Sequence, residues 1–133
     1  MLPELHFHHI GIITPDIAAT AAHYQRANYA LSETVLDPVQ KVRIAFLSKA
    51  GEPSIELIEP ADEHASVQKL LRKNGVSPYH MCYTVNDIEA ACERLQALGY
   101  VLLFRPVEAE AFDGKPIAYL FHTEVGFIEL LQA

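Results

Sequence analysis

The sequence lacks the marks of several large protein classes. Its longest apolar stretches, such as those beginning at Ile10 and Tyr100, fall far short of the ~20 residues that a membrane-spanning helix needs, so no membrane partner is expected. Cysteine is scarce. Only Cys82 and Cys92 occur, one in an expected strand and one in an expected helix, without C-x-x-C or zinc-finger spacing, which reads as two reduced thiols and not as a disulfide framework. Basic residues are the minority charge: 10 Lys and Arg against 17 Asp and Glu give a net charge of −7. Binding to a phosphate backbone requires a basic stripe, and these cations are scattered, so nucleic acid is excluded as an expected partner. The opening MLPELHFHH has no basic segment followed by an apolar one. A secretory leader is therefore not expected, and a cytoplasmic location is.

What is present is a chain of 133 residues, 50% of them hydrophobic, the size of one compact domain. A domain of this order buries roughly two-thirds of the surface its unfolded chain exposes. It needs no structural metal to fold, so a metal found here would be functional.

The chain also repeats itself. The segment HHIGIITPDIAATAA from His8 aligns without a gap on YHMCYTVNDIEAACE from Tyr79, placing His9 on His80, Asp16 on Asp87, Ile17 on Ile88 and Ala19 on Ala90 at an offset of 71 residues. Ile-Glu-Leu then recurs, with Glu56 in the first half and Glu129 in the second, at an offset of 73. Each half reads as a strand, a helix and two or three further strands. Residues 7–14 and 79–85 are β-rich runs, followed by Pro15-Asp16 and Asn86-Asp87, where the Asp or Asn suits capping a helix start. In the second helix Ile88, Ala91, Cys92, Leu95 and Leu98 recur at helical spacing, and Gly99 is a natural stop; the first helix has the same rhythm, with Tyr24 as its bulkiest contact and Asn28 at its end. Further strands are expected at VRIAFL, 55–58, 100–104, 117–121 and 127–131. Module one thus spans about 6–60 and module two about 78–133. They are joined by an exposed connector, about 61–77, with a short helix ending at Gly75.

Side chains alternate across a strand, so His9 shares a face with Gly11 and Ile13, and His80 with Cys82 and Thr84, in each case the more polar face. Glu56 opposes Ile55 and Leu57, and Glu129 opposes Ile128 and Leu130, so each Glu lies on the face away from the helix. A carboxylate within an apolar strand costs several kcal/mol to bury unless a positive partner compensates. A lone strand His is more often hydrogen-bonded or exposed than a ligand, and a lone Glu in a terminal strand is more often solvated. Recurrence of both at matching positions reverses those odds. If the halves pack about a pseudo-twofold axis, His9, Glu56, His80 and Glu129 line one cavity, and a borderline divalent cation (Zn, Co, Ni, Mn or Fe) satisfies the set. His6, His8, His23 and His64 have no such pairing and read as structural or exposed. His122 is a minor candidate for lining the cavity. The loop RPVEAEAFDGKP, 105–116, reads as a solvated connection and a candidate cover, with Gly114 as a hinge.

These residues, His9-Ile-Gly-Ile, Ile-Glu56-Leu-Ile-Glu-Pro, His80-Met-Cys-Tyr-Thr-Val-Asn-Asp-Ile and Phe-Ile-Glu129-Leu, resemble the vicinal oxygen chelate (glyoxalase/bleomycin resistance/dioxygenase) superfamily. Within it, IELIEP, the connector ending KLLRKNGVSP and the closing GKPIAYLFHTEVGFIELLQ look most like the methylmalonyl-CoA epimerase branch. The resemblance implies an α+β fold of two tandem βαβββ modules that form a curved, cavity-enclosing sheet arrangement. It places the family's metal positions on His9, Glu56, His80 and Glu129, with one divalent ion, Co, Ni, Zn or Mn. It implies a metal-dependent epimerase or isomerase that removes a proton next to a thioester carbonyl, Glu129 being first choice as base and Glu56 the carboxylate on the other side. The implied partner is a small molecule, an acyl-CoA or another thioester, and a homodimer is compatible with it. Two alternatives stay open: a glyoxalase I-type lactoylglutathione lyase, with which Glu at position 56 is shared, and a non-catalytic small-molecule binding protein of the same fold. At the end of module two the family's usual His-Pro-Lys is here Phe121-His122-Thr123-Glu124.

Overall fold

A computed structural model describes residues 1–133. It has an α+β architecture with ten strands and three α-helices. The chain forms two compact units, one of His9–Tyr79 and the other of His80–Ala133 together with Met1–His8. No helix is long and apolar enough to cross a membrane.

In the unit of His9–Tyr79, strand β1 (His6–Ile13, of which residues 9–13 belong here) leads into helix α1 (Ile17–Arg26). Short strands β2 (Ala30–Leu31) and β3 (Val35–Asp37) follow, then the long strands β4 (Val42–Ser48) and β5 (Ser54–Pro60). β5 pairs parallel to β1 and antiparallel to β4, which carries β2 and β3 on its other side. Asp16 caps α1 by accepting from the backbone N–H of Ala19 at 3.1 Å. Asn28, at φ 69°, turns the chain out of the helix in the left-handed region that Asn tolerates. Ile17 and Ala21 of α1 pack on Ala45, Leu47 and Leu57, with Ile12, Tyr24 and Ile55 at the margin. Fully burying a side chain such as Leu47 or Leu57 contributes about 1.5–3 kcal/mol. The helix therefore sits on the face carrying Ile55 and Leu57, as the alternation requires.

The other unit repeats this plan. Strand β6 (Ser77–Val85) leads into helix α3 (Ile88–Ala97), capped by Asp87 accepting from Ala90 N–H at 3.0 Å. Gly99 ends the turn at φ 95°. Strands β7 (Val101–Leu102), β8 (Val107–Ala109), β9 (Lys115–His122) and β10 (Gly126–Gln132) complete it. β10 is parallel to β6 and antiparallel to β9, which carries β7 and β8. Ile88, Ala91, Cys92 and Leu95 of α3 pack on Val85, Ala118, Leu120, Ile128 and Leu130. Cys82 and Cys92 are buried and form no disulfide.

On β1, His9 is 0% and Ile13 1% exposed, whereas Ile10 and Ile12 on the other face are half-buried. Three expectations need revision. Leu98 lies beyond the end of α3 and is exposed, because the chain is already leaving the helix there. Segment 105–116 is more than a solvated loop. β8 pairs with β9 from Val107↔Ile117 to Ala109↔Lys115, and a 3-10 turn, Glu110–Phe112, follows. The connector helix, α2 (Val67–Asn74), does end at Gly75, yet Ala65 and Val67 are buried, so that stretch is anchored as well as exposed.

Candidate metal and catalytic residues

The parallel pairing of β1 with β5 sets Gly11 beside Glu56, and the antiparallel pairing of β5 with β4 sets Phe46 on its other side. His9, two residues before Gly11, projects from the same face of the sheet. Its Nε2 lies 3.6 Å from Glu56 Oε1, and the side chains of His9 and Glu56 are 0% and 2% exposed. Phe46 stands edge-on to the His9 imidazole with ring centres 5.7 Å apart.

The second unit reproduces the arrangement on β6, β10 and β9. Cys82 and Tyr119 flank Glu129, and His80 stands two residues before Cys82. His80 Nε2 lies 2.9 Å from Glu129 Oε2, with side-chain exposures of 0% and 1%. Tyr119 is edge-on to the imidazole at 5.2 Å. Each unit thus brings together one imidazole and one carboxylate, both buried, under an aromatic ring. In each case the shared diagonal between parallel strands makes the pair adjacent. The donor chemistry suits a divalent ion: imidazole nitrogen and carboxylate oxygen are the ligands that borderline metals take. A buried carboxylate with cationic compensation is also far less costly than one without.

The remaining histidines fall elsewhere. His6, His8, His23 and His64 are exposed. His122 is not on the Glu129 face. It follows the parity of Ala118 and Leu120, which pack under α3, and its ring lies 4.8 Å from that of Tyr100. Its Nδ1 accepts from the Glu124 backbone N–H at 3.1 Å, a turn-closing role that removes it as a cavity-lining candidate.

Two neighbours of the site escaped sequence reasoning, Phe46 and Tyr119. The signal was available: Ala-Phe46-Leu recurs as Ala-Tyr119-Leu at the same offset of 73 residues that relates Glu56 to Glu129. Strand pairing then sets each aromatic opposite its Glu.

Comparison with known proteins identifies the family and the fold. Residues 8–119 match the model of the Glyoxalase/Bleomycin resistance protein/Dioxygenase superfamily. Ethylmalonyl-CoA/methylmalonyl-CoA epimerase of Cereibacter sphaeroides is 32% identical over 114 residues, covering 84% of each chain. The crystal structure of methylmalonyl-CoA epimerase from Mycobacterium tuberculosis superimposes with a TM-score of 0.86 at 26% identity, covering 99% of this chain and 92% of that one. A methylmalonyl-CoA epimerase in complex with methylmalonyl-CoA and NH4+ gives 0.83 at 27% identity, covering 97% and 94%. The match over most of the chain, on a fold that carries the same pair of buried residues twice, shows that it belongs to the glyoxalase/bleomycin resistance protein/dioxygenase superfamily.

Proposed function

We propose that this chain is a metal-dependent epimerase that inverts the carbon next to the carbonyl of a branched acyl-CoA thioester, as the names of its epimerase relatives suggest. The observation that carries the reading is the twice-built pair of buried imidazole and carboxylate, His9 with Glu56 and His80 with Glu129. In this proposal the four side chains hold one divalent cation, Co, Ni, Zn or Mn. Two imidazole nitrogens and two carboxylate oxygens leave coordination sites for substrate. When bound, such a cation acts as a Lewis acid, stabilising negative charge that develops on the thioester oxygen.

The chain's own residues do the proton work. Glu129 takes the proton from the carbon next to the thioester, and the Glu56 carboxyl returns one to the opposite face, which inverts the centre. For the other epimer the roles exchange. A carboxylate that also ligates is a weak base, so the one that accepts the proton must loosen its hold as substrate arrives. Burial of Glu56 and Glu129 at 2% and 1% exposure keeps bulk water from quenching the charged intermediate state. Phe46 and Tyr119, packed against the imidazoles, hold the two histidines in orientation. The proposal includes a cytoplasmic location and leaves room for a homodimer.

The test has two readouts. Protein purified without added metal or a histidine tag should contain about one divalent ion per chain by mass spectrometry, and a His80→Ala variant should lose it. The loaded protein should exchange the proton at the branched carbon of methylmalonyl-CoA with solvent deuterium. A protein that takes up no metal on titration and exchanges no proton would overturn the reading and favour a binding module. Metal with exchange into a glutathione hemithioacetal, and none into the acyl-CoA, would point to the glyoxalase-type reaction, which the glutamate at position 56 favours among the alternatives.

A further inference from the structure

The aromatic ring beside the metal-candidate pair is extended in one unit by a third ring that the repeat does not supply in the other. Tyr119 is 4% exposed, directly opposite Glu129 in the β9–β10 register. Its ring lies 5.2 Å from the imidazole of His80 on one side and 5.6 Å from the ring of Phe104 on the other. Phe104 is only half-buried and lies two residues beyond the end of β7. Three rings thus form a ladder from the buried carboxylate to the surface. In the unit of His9–Tyr79, His9 and Phe46 stand 5.7 Å apart. The positions 71 to 73 residues before Phe104 are Glu33, Ser32 and Leu31, none of them aromatic.

We infer that Phe104, supported by Tyr119, is the wall against which the alkyl branch of the substrate packs, and so a specificity-determining residue for branch length. The inference rests on the epimerase reading. If Glu129 takes the proton from the branched carbon, that carbon lies at about 3 Å from the carboxylate and the alkyl group on it is one bond further out. The apolar ring flanking that carboxylate on the β9 side is Tyr119, and the ring next to it, toward the surface, is Phe104. A ring that is partly exposed in the free protein gains burial when an alkyl group covers it, and the gain grows with each methylene. The longer branch therefore profits more from Phe104 than the shorter one.

The experiment compares kcat/KM for ethylmalonyl-CoA and methylmalonyl-CoA in the metal-loaded wild type and in Phe104→Ala, with Leu103→Ala as the control. Leu103 is the exposed neighbour whose backbone N–H donates to the Tyr119 carbonyl at 2.9 Å. The ethyl-to-methyl ratio should fall about fourfold in Phe104→Ala, the factor that burial of one methylene corresponds to, and should stay at the wild-type value in Leu103→Ala. Metal content should be unchanged in both variants, since neither side chain belongs to the donor set. A general loss of packing lowers both substrates together and leaves the ratio alone, so the ratio isolates the contact. A ratio in Phe104→Ala within twofold of wild type, or above it, overturns the inference while the wild type's turnover keeps the epimerase reading intact. A wild type that turns over neither substrate overturns both, and is recognised before any variant is made.

Discussion

The two units follow one plan and differ in how tightly they finish it. In both, a parallel strand pair and an antiparallel partner bring one His, one Glu and one aromatic ring together. The His–Glu separation is 3.6 Å in one unit and 2.9 Å in the other. The strand neighbour of the Glu is Gly11 in the first and Cys82 in the second, and the opposing ring is Phe46 in the first and Tyr119 in the second. The helices differ likewise. α1 buries Ile17 and Ala21, whereas α3 buries Ile88, Ala91, Cys92 and Leu95. At the offset of 71, Cys92 replaces Ala21 and Leu95 replaces Tyr24. The unit with the fuller core also holds its carboxylate between larger side chains. That difference teaches that the duplicated scaffold keeps register and ligand type while the packing around each carboxylate diverges, which gives two chemically alike groups two distinct surroundings.

The largest effects are expected at the carboxylates themselves. Glu129→Gln and Glu56→Gln each remove a base while keeping the shape, and each should lower epimerisation by about 10²–10⁴-fold. The two should not be equivalent. Starting from one epimer, solvent-deuterium exchange at the branched carbon should be lost in Glu129→Gln and retained in part in Glu56→Gln. Starting from the other epimer, the order should reverse. Equal loss from both epimers in both variants would mean that the two carboxylates do not divide the faces.

A smaller effect sharpens the contrast between the helices. Leu95 is 0% exposed, so Leu95→Ala should cost about 2–5 kcal/mol through lost burial and the cavity left behind. Tyr24, its counterpart on α1, is half-buried at the edge of its cluster and meets Tyr29 edge-on at 5.7 Å. Tyr24→Ala should cost less, about 1–2 kcal/mol. Urea denaturation of the two variants compares them directly, and equal midpoints would show that the second core is not the tighter one.

Much of this was legible in the residues, for identifiable reasons. The gapless stretch placed both helix starts and both His residues at an offset of 71, and the recurring Ile-Glu-Leu placed the two Glu residues at an offset of 73. Periodicity also assigned Ile55, Leu57, Ile128 and Leu130 to the helix side, where they pack. What escaped was short or depended on pairing. β2 has two residues and β3 and β8 three, too few for alternation to register, and the strand expected at 100–104 is only the two residues of β7. The roles of Phe46 and Tyr119 depend on which strand lies beside β5 and β10, which no single strand's pattern reveals.

The smallest effect concerns the one buried position where the helices exchange an inert side chain for a titratable one. Cys92 takes the place of Ala21 on the repeat. Burial first, and the nearby Glu89 charge second, push its thiol from an ordinary value of 9.0 up to about 11. The thiol therefore stays protonated at neutral pH and should resist alkylation by iodoacetamide in the native protein, because the thiolate is the nucleophile. The sign for stability follows from proton binding. Between pH 9 and pH 11 the unfolded chain releases this proton and the folded one keeps it, so unfolding becomes easier as pH rises through that window and is unaffected below it. Cys92→Ala makes α3 match α1 at this position and removes the contribution. The midpoint difference between wild type and Cys92→Ala, measured from pH 8 to pH 11, should shift against the wild type across the window, while Lys and Tyr titrations common to both cancel. A constant difference would place the folded thiol at its ordinary value, and would leave the tighter packing of α3 with no electrostatic consequence at Cys92.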